Sequence, residues 1–510
     1  MNVRTHTRSA IAARLALAAM VASVVPFAHA HALAQSPAPA ITPTGEPAVD
    51  SAAVARSMMR AAAQAATPRD ALSFLSRAAH AWPTQPAYWV SLARLGARAG
   101  DRNAVHEAVS ALTALGTGAA VFGDTVVQRI ATEVDAVTWQ RLGQRLAALR
   151  TGGIAATLPD TTVFAEGLDA DPRTGALYVA SVRHRTIYEV DIDGHVRDLG
   201  VSRAPRVGAL LGVRVSPDGQ WLYATTAGLP AMQGYTSSDS TIVALLRIRR
   251  RDGTVDARWD VPADGARHLL GDLVIADDGT VYASDSFAPL LFILAPGANT
   301  LRTISHPLFR SLQGIAVVPN THRLIVADYS HGLLRIDLDS VAVVRSAVTR
   351  IADMPGSTSL GVDGILWDHG AVIAVQNGID PARLVRFTLN DTQRAITAFA
   401  VLDQEPVLAD QPTIATRWGD NVVYVANSQW AQYDDDGHRR AGTLLEPTRL
   451  RCVPLPTATR VQATRDQAAW ASARVGTTAA VSGAGRNGTR STTSAPPPSR
   501  SCNTSEARSP

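Results

Sequence analysis

Lysine is absent from this chain of 510 residues, so all 48 basic residues are arginines. That excludes Schiff-base chemistry on a lysine amine, covalent pyridoxal phosphate and a P-loop lysine. Cysteine is almost absent too, with Cys452 and Cys502 the only two. They form no CxxC pair and have no metal-ligand spacing. The Ser/Pro/Arg-rich surroundings of Cys502 offer nothing to hold it near Cys452, so two unpaired thiols are expected. Aromatic residues make up 5% and charged residues 18%, which leaves Ala, Val, Leu and Ile to build the core. No GxSxG elbow occurs, and His106-Glu107 has no second histidine to complete HExxH, so two common hydrolase signatures are missing.

Long apolar runs are also lacking. Leu15 to Val25 holds 11 residues, too few to span a bilayer as a helix. Arg4, Arg8 and Arg14 precede it, and Pro26 and the small-x-small sites Ala28-His29-Ala30 and Ala32-Leu33-Ala34 follow. Residues 1–34 therefore read as a secretory signal with a periplasmic or secreted destination, an uncleaved anchor being the alternative. No later stretch is apolar enough to cross a membrane. The formal charge of +4 resides at the ends of the chain. Without the three leader arginines and the Arg-rich stretch 457–510, residues 31–456 sum to about −4, a mildly acidic body with no nucleic-acid footprint.

What is present falls into segments. Residues 35–50 are a Pro-rich linker. Over 51–150 apolar residues recur three and four apart, predicting helices over 71–81, from Pro86 to Gly100 and over 103–115. The order Ala71, Ala78, Pro83, Trp89, Leu92, Ala93, Gly100 resembles a tetratricopeptide repeat, with a plain helical bundle as the alternative. Residues 457–510 read as a disordered tail. Their GAGRNG matches a dinucleotide fingerprint by letters only, with no strand before it and no helical pattern after it.

From Gly153 the period becomes two, and one phrase of strand, Pro/Asp/Gly turn and second strand recurs six times. Aligned on Tyr178, Tyr223, Tyr282, Ile325, Ile373 and Tyr424, the copies are 45, 59, 43, 48 and 51 residues apart. Six such units predict a mainly β fold, a six-bladed β-propeller over 153–456, preceded by a small α-helical domain. A column of small residues (Ala180, Thr225, Ser284, Ala327, Val375, Ala426) suits close packing between blades. After Thr448–Leu455 no further strand follows, so IAATL (Ile154 to Leu158) is placed to complete blade 6 and close the ring.

Inner-strand starts and second-strand ends meet at one mouth of a propeller. The starts are Glu166, Leu211, Gly271-Asp272, Gln313, Asp363 and Gln411. The ends are Ser181, Thr226, Asp285, Asp328, Gln376-Asn377 and Asn427. Oxygen ligands at that density suit Ca²⁺ or another hard divalent cation, although Asp and Asn also end strands simply by bonding the turn backbone. Two long loops, 228–241 and 429–442, are expected to rise from the same mouth beside blade 1. Exposed Tyr235, Trp430 and Tyr433 there would suit a sugar-like ring.

The carriers AEGL at Glu166-Gly167, GDLVIADDGTVYASDS from Gly271, LQGIAV at Gln313-Gly314 and VDGILW at Asp363-Gly364 resemble the regucalcin/gluconolactonase family of propellers. The blades are also similar to NHL-type and strictosidine-synthase-like propellers. The first resemblance implies a divalent metal held by Glu166, Gln313 and Asp363, with Asp272 or Asp285 as base or substrate contact in hydrolysis of a sugar lactone. Two departures stand out: Gln313 replaces the family's Asn, and Gly271-Asp272 replaces its Asn-Asp pair. The alternative is a non-catalytic periplasmic binding module, with the helical domain taking a protein partner.

Overall fold

The computed structural model describes residues 51–338, 348–404, 411–455 and 502. The leader, the linker, GAGRNG and all of the tail after 455 except Cys502 lie outside the described residues.

Six four-stranded sheets form the main body, each antiparallel and each built from consecutive strands, except the last. The inner strands of blades 1 to 6 are Ala165–Ala170, Ala209–Val215, Leu270–Ile275, Leu312–Val318, Val362–Asp368 and Ala415–Trp418. Blade 6 takes its outermost strand, Gly153–Leu158, from the start of the propeller; that strand pairs with Thr448–Pro454, Gly153 opposite Cys452 and Leu158 opposite Thr448. Closure therefore works as the sequence indicates, and no exposed sheet edge remains at the seam. Among the described residues no helix is long and apolar enough to cross a membrane.

The XG pairs have a packing explanation. In blades 1 to 5 the ladder slips at the same place, between residues 165 and 168, 210 and 213, 270 and 273, 312 and 315, and 362 and 365. Each slip is a bulge that inserts Glu166-Gly167, Leu211-Gly212, Gly271-Asp272, Gln313-Gly314 or Asp363-Gly364. The second residue of the pair presses on the next blade. A Cβ on Gly167 would overlap the Leu211 carbonyl oxygen, and one on Gly314 would stand 2.5 Å from Ile365 N. The small-residue column backs the bulge: Gly212 N donates to Thr225 Oγ1 at 2.8 Å, and Asp272 N to Ser284 Oγ at 3.4 Å. In blades 1, 2, 4 and 5 glycine is thus demanded by contact between blades, whatever the first residue of the pair does, whereas blade 3 places Asp272 there.

Cys452 and Cys502 form a disulfide, with Cα atoms 5.6 Å apart. The expectation of two free thiols is corrected. Cys452 is fully buried under the closing strand, and Cys502 packs, partly buried, against the same cluster of Leu158, Val423 and Leu450. An apolar seat on blade 6 holds Cys502, which the composition of its own neighbours does not reveal.

Among the described residues six helices precede the propeller: α1 (Ser51–Gln64), α2 (Pro68–Ala81), α3 (Pro86–Ala99), α4 (Arg102–Leu115), the short α5 (Ala119–Phe122) and α6 (Thr125–Leu146). Pro68 and Pro86 occupy first-turn positions, where no N–H is missed. Thr67, Asp101 and Asp124 cap α2, α4 and α6 through their side chains. Trp89, Leu92 and Leu95 lie buried on one face of α3, as their spacing indicates.

These helices dock on the mouth face, over blades 4 and 5. Trp82 stacks on His331 with ring centroids 6.4 Å apart, and Thr84 Oγ1 donates to Asp353 Oδ2 at 2.9 Å. Gly118 N donates to Asp380 O at 2.8 Å. The buried Arg383 of blade 5 donates through Nη1 to the carbonyls of Leu115 and Gly116, at 3.2 and 3.0 Å, where the negative end of the α4 dipole lies. Burial and the nearby Arg145 push the Arg383 guanidinium down to about 9.

Candidate functional site at the propeller mouth

Two rings of polar side chains stand at this mouth. One is formed by the second-strand ends. Asp285 Oδ1 accepts the backbone N–H groups of Leu269, Phe287 and Ala288 at 3.1, 2.9 and 2.9 Å, while its Oδ2 meets His268 Nδ1 at 2.6 Å. Asp328, its counterpart in blade 4, accepts from Arg310, Ser311, Ser330 and His331 N at 2.7 to 3.1 Å. Thr226 accepts Gly208 N at 2.9 Å, Ser181 donates to Val163 O, and Gln376 Nε2 donates to Thr358 O and Leu360 O at 2.8 and 2.7 Å. Asn427 Oδ1 accepts Arg449 N at 2.7 Å. Every member ties a loop, and all six are buried.

The second ring begins with Glu166 and Asp363. They occupy the same bulge position in blades 1 and 5, at the wall of the central channel, surrounded by protein yet still touched by solvent. Trp430 Nε1 donates to Glu166 Oε2 at 2.6 Å. Asn377 Nδ2 donates to Asp363 Oδ2 at 2.7 Å and to Pro412 O at 2.8 Å. Among the described residues neither carboxylate has an ion-pair partner. Burial, and then the facing charge of Asp363, push Glu166 up to about 8; burial, together with Asp272, pushes Asp363 up to about 7. Burial and Asp363 also push the Tyr329 phenol up.

Asp272 and Gln313 take different positions. Asp272 occupies the second, glycine position of its bulge, and its carboxylate turns to Arg214 of blade 2, with Arg214 Nη2 at 3.0 and 3.1 Å from its two oxygens. It also accepts Leu273 N at 2.8 Å and Ile315 N at 3.4 Å, which bridges blades 2, 3 and 4. Burial raises the Asp272 carboxyl, and Arg214 opposes that rise. Gln313 sits at the level of Glu166, but both ends of its amide are engaged. Ser286 Oγ donates to Oε1 at 3.3 Å, and Nε2 donates to Ser311 Oγ at 3.2 Å. A Cβ on Gly271 would stand 2.5 Å from that same Ser286 Oγ, so the hydroxyl fills the space a side chain at 271 would need.

Two further placements correct the sequence reading. Ala415 pairs with Tyr424 as Asp169 pairs with Tyr178, and Gln411 O accepts Ser428 N as Phe164 O accepts Val182 N, so blade 6 is one residue shorter here. Thr413, whose carbonyl meets Gly364, and not Gln411, stands where the other blades carry their bulge. The two long loops do rise at this mouth, but their aromatic rings are not exposed. Tyr433 is 6% exposed, and Trp430 and Tyr235 are partly buried. Phe164 lies between them, its ring centroid 4.5 Å from Trp430 and 5.0 Å from Tyr433. Gly437 packs directly on the Pro230 carbonyl. The loops close over blade 1 as a cap, because two segments far apart in sequence bury each other's apolar surface.

Sequence reasoning missed Arg214 and did not assign Asn377. A lone arginine in the alternating inner strand ALLGVRV was the available sign for the first. Another acidic cluster, Asp191, Asp193 and His195, lies exposed on a turn between the third and fourth strands of blade 1. There Asp191 Oδ1 already accepts the N–H groups of Asp193 and His195, both at 2.9 Å.

No family model and no curated protein matches the sequence. Solved structures do. A gluconolactonase from Xanthomonas campestris is 15% identical, with a TM-score of 0.40 over 59% of this chain and 89% of that one. A calcium-binding regucalcin from Agrobacterium tumefaciens is 15% identical, at 0.41 over 60% and 97%. The chain is similar to regucalcin- and gluconolactonase-like propellers. Virginiamycin B lyase from Staphylococcus aureus is also similar, 12% identical at 0.38 over 59% and 97%. The likeness is one of fold.

Proposed function

We propose that the mouth binds a divalent cation and hydrolyses a lactone- or ester-like small molecule there. The observation that carries this reading is the pair Glu166 and Asp363, two carboxylates from different blades that share one channel wall without a positive partner. Such an arrangement is costly unless a cation occupies it. The donors present are all oxygens and include a buried amide oxygen of Asn377 that has no partner among the described residues, which fits a hard cation. A bound divalent ion would polarise a carbonyl and acidify a water.

The remaining roles fall to this chain's own groups. Trp430 orients Glu166 through its Oε2. Asn377 orients Asp363. Asp272 is the carboxylate whose charge reaches both, but its oxygens are taken by Arg214, Leu273 N and Ile315 N, and those of Asp285 by loop N–H groups and His268. Either would act on a substrate only by giving up a structural bond. The capping loops and the helical domain narrow the approach to a small ligand.

The test uses purified chain, Ca²⁺, Zn²⁺ or Mn²⁺, and a panel of aldonolactones. Metal-dependent turnover that Glu166→Gln and Asp363→Asn abolish is the expected result. Absence of both turnover and metal binding would overturn the reading. A second reading, a binding module, is favoured by a groove of about 840 Å³ between α2, α3 and α4, lined by Arg69, Leu72, Ser76, Asn103 and Glu107 among others. Capture of a partner that survives Glu166→Gln would support it. Export is part of the proposal, since a disulfide suits an oxidising compartment; a mature N-terminus found beyond residue 30 would bear it out.

A further inference from the structure

The resemblance assigns the third metal ligand to Gln313, whose amide is engaged at both ends by Ser286 and Ser311. Asn377 is held differently. Its Nδ2 lies between two acceptors, the Asp363 carboxylate and the Pro412 carbonyl, so the amide cannot be turned over without facing oxygen to oxygen. Oδ1 is therefore fixed on the other arm, a few ångströms from Asp363, where it is buried and has no hydrogen-bond donor among the described residues. A buried carbonyl oxygen without a partner is rare in a native fold. Pro412 leads into the inner strand of blade 6, which lies between blades 5 and 1 around the ring, so the amide reaches into the arc that separates the two carboxylates.

We infer that Asn377, and not Gln313, supplies the third protein oxygen to a cation held between Glu166 and Asp363. The inference rests on the cation reading above and adds a ligand from the second strand of a blade, where the other two come from inner strands. The local chain is built to hold it. Gly378 packs against Gly361 and Tyr329, where a Cβ would stand 2.7 Å from the Tyr329 hydroxyl. Two residues on, the Asp380 carbonyl accepts Gly118 N and Thr117 Oγ1, both at 2.8 Å, from the helical domain. The chain just after Asn377 is thus clamped at two points, which keeps the amide in place before any ion arrives.

The experiment measures Ca²⁺ binding to the full chain by calorimetry, with Tb³⁺ luminescence lifetimes in H₂O and D₂O to count bound waters. Asn377→Ala is expected to weaken Ca²⁺ at least about tenfold and to admit about one more water to Tb³⁺. Gln313→Ala should shift affinity by less than about threefold, because it removes only a neighbour. Asn377→Asp keeps an oxygen at the site and should hold the water count of the wild type; Asn377→Leu, close in size but without an oxygen, should admit the extra water and decides the matter if the alanine variant does not fold. Wild-type affinity and water count in Asn377→Ala, with binding lost in Glu166→Gln, would overturn this inference alone. No binding to the wild type would remove the cation reading with it.

Discussion

The two polar rings at the mouth use the same residue types to opposite ends. Asp285 and Asp328 are fully buried, and Glu166 and Asp363 less so. Burial separates them less sharply than their partners do. Three or four loop N–H groups converge on each second-strand aspartate, whereas Glu166 receives one indole N–H and Asp363 one amide. A carboxylate saturated by backbone donors holds a loop. One left with free lone pairs beside another carboxylate is poised for a cation.

The sharpest way to break this comparison is Asp328→Ala. It strands four backbone N–H groups in a buried loop, and a loss of about 4–5 kcal/mol in urea unfolding is expected. Cation binding by the fraction that remains folded should not change. Next comes Arg214→Met, which leaves Asp272 buried and unpaired, at a cost of about 3 kcal/mol. Asp272 also acts on the second ring, so this variant should raise the Glu166 and Asp363 carboxyls further, an effect readable by NMR titration.

The fold was legible in the sequence because six strand-turn-strand phrases keep one register, and the missing outer strand of blade 6 had one candidate donor. The site was legible in part. Glu166 and Asp363 stood out since a charged residue before glycine in an apolar strand must have a reason. Gln313 stood out by the same pattern, but its hydrogen bonds depend on Ser286 and Ser311, which no periodicity singles out. The burial of Trp430 and Tyr433 depends on contact between loops around residues 230 and 437, and the seat of Cys502 on the far side of blade 6. Contacts of such range leave no local trace. Asp285 and Glu166 look alike as letters, and only the count of converging N–H groups tells them apart.

Glu166→Gln should have the opposite sign from the loop aspartates. The folded pKa of Glu166 is raised, to about 8 from 4.5, so between these values the native state binds more protons than the unfolded chain. Stability of the metal-free protein then falls as pH rises through that window. Removing the charge should stabilise the metal-free fold at pH 8 by about 1–2 kcal/mol, with little gain at pH 4. Added Ca²⁺ should raise the melting temperature of the wild type and leave that of Glu166→Gln unmoved.

The smallest expected effect tests the hydrogen bond that distinguishes Glu166 from a bare carboxylate. In Trp430→Phe the ring contact with Phe164 is largely kept, while the N–H to Glu166 Oε2 is lost. That bond favours the ionised form, so its removal raises the Glu166 carboxyl further. The variant's deficit should grow as pH rises through about 8 and reach about 1 kcal/mol where Glu166 is ionised. A deficit independent of pH would mean that the indole serves only to pack the cap, and that Glu166 meets the channel without an orienting partner.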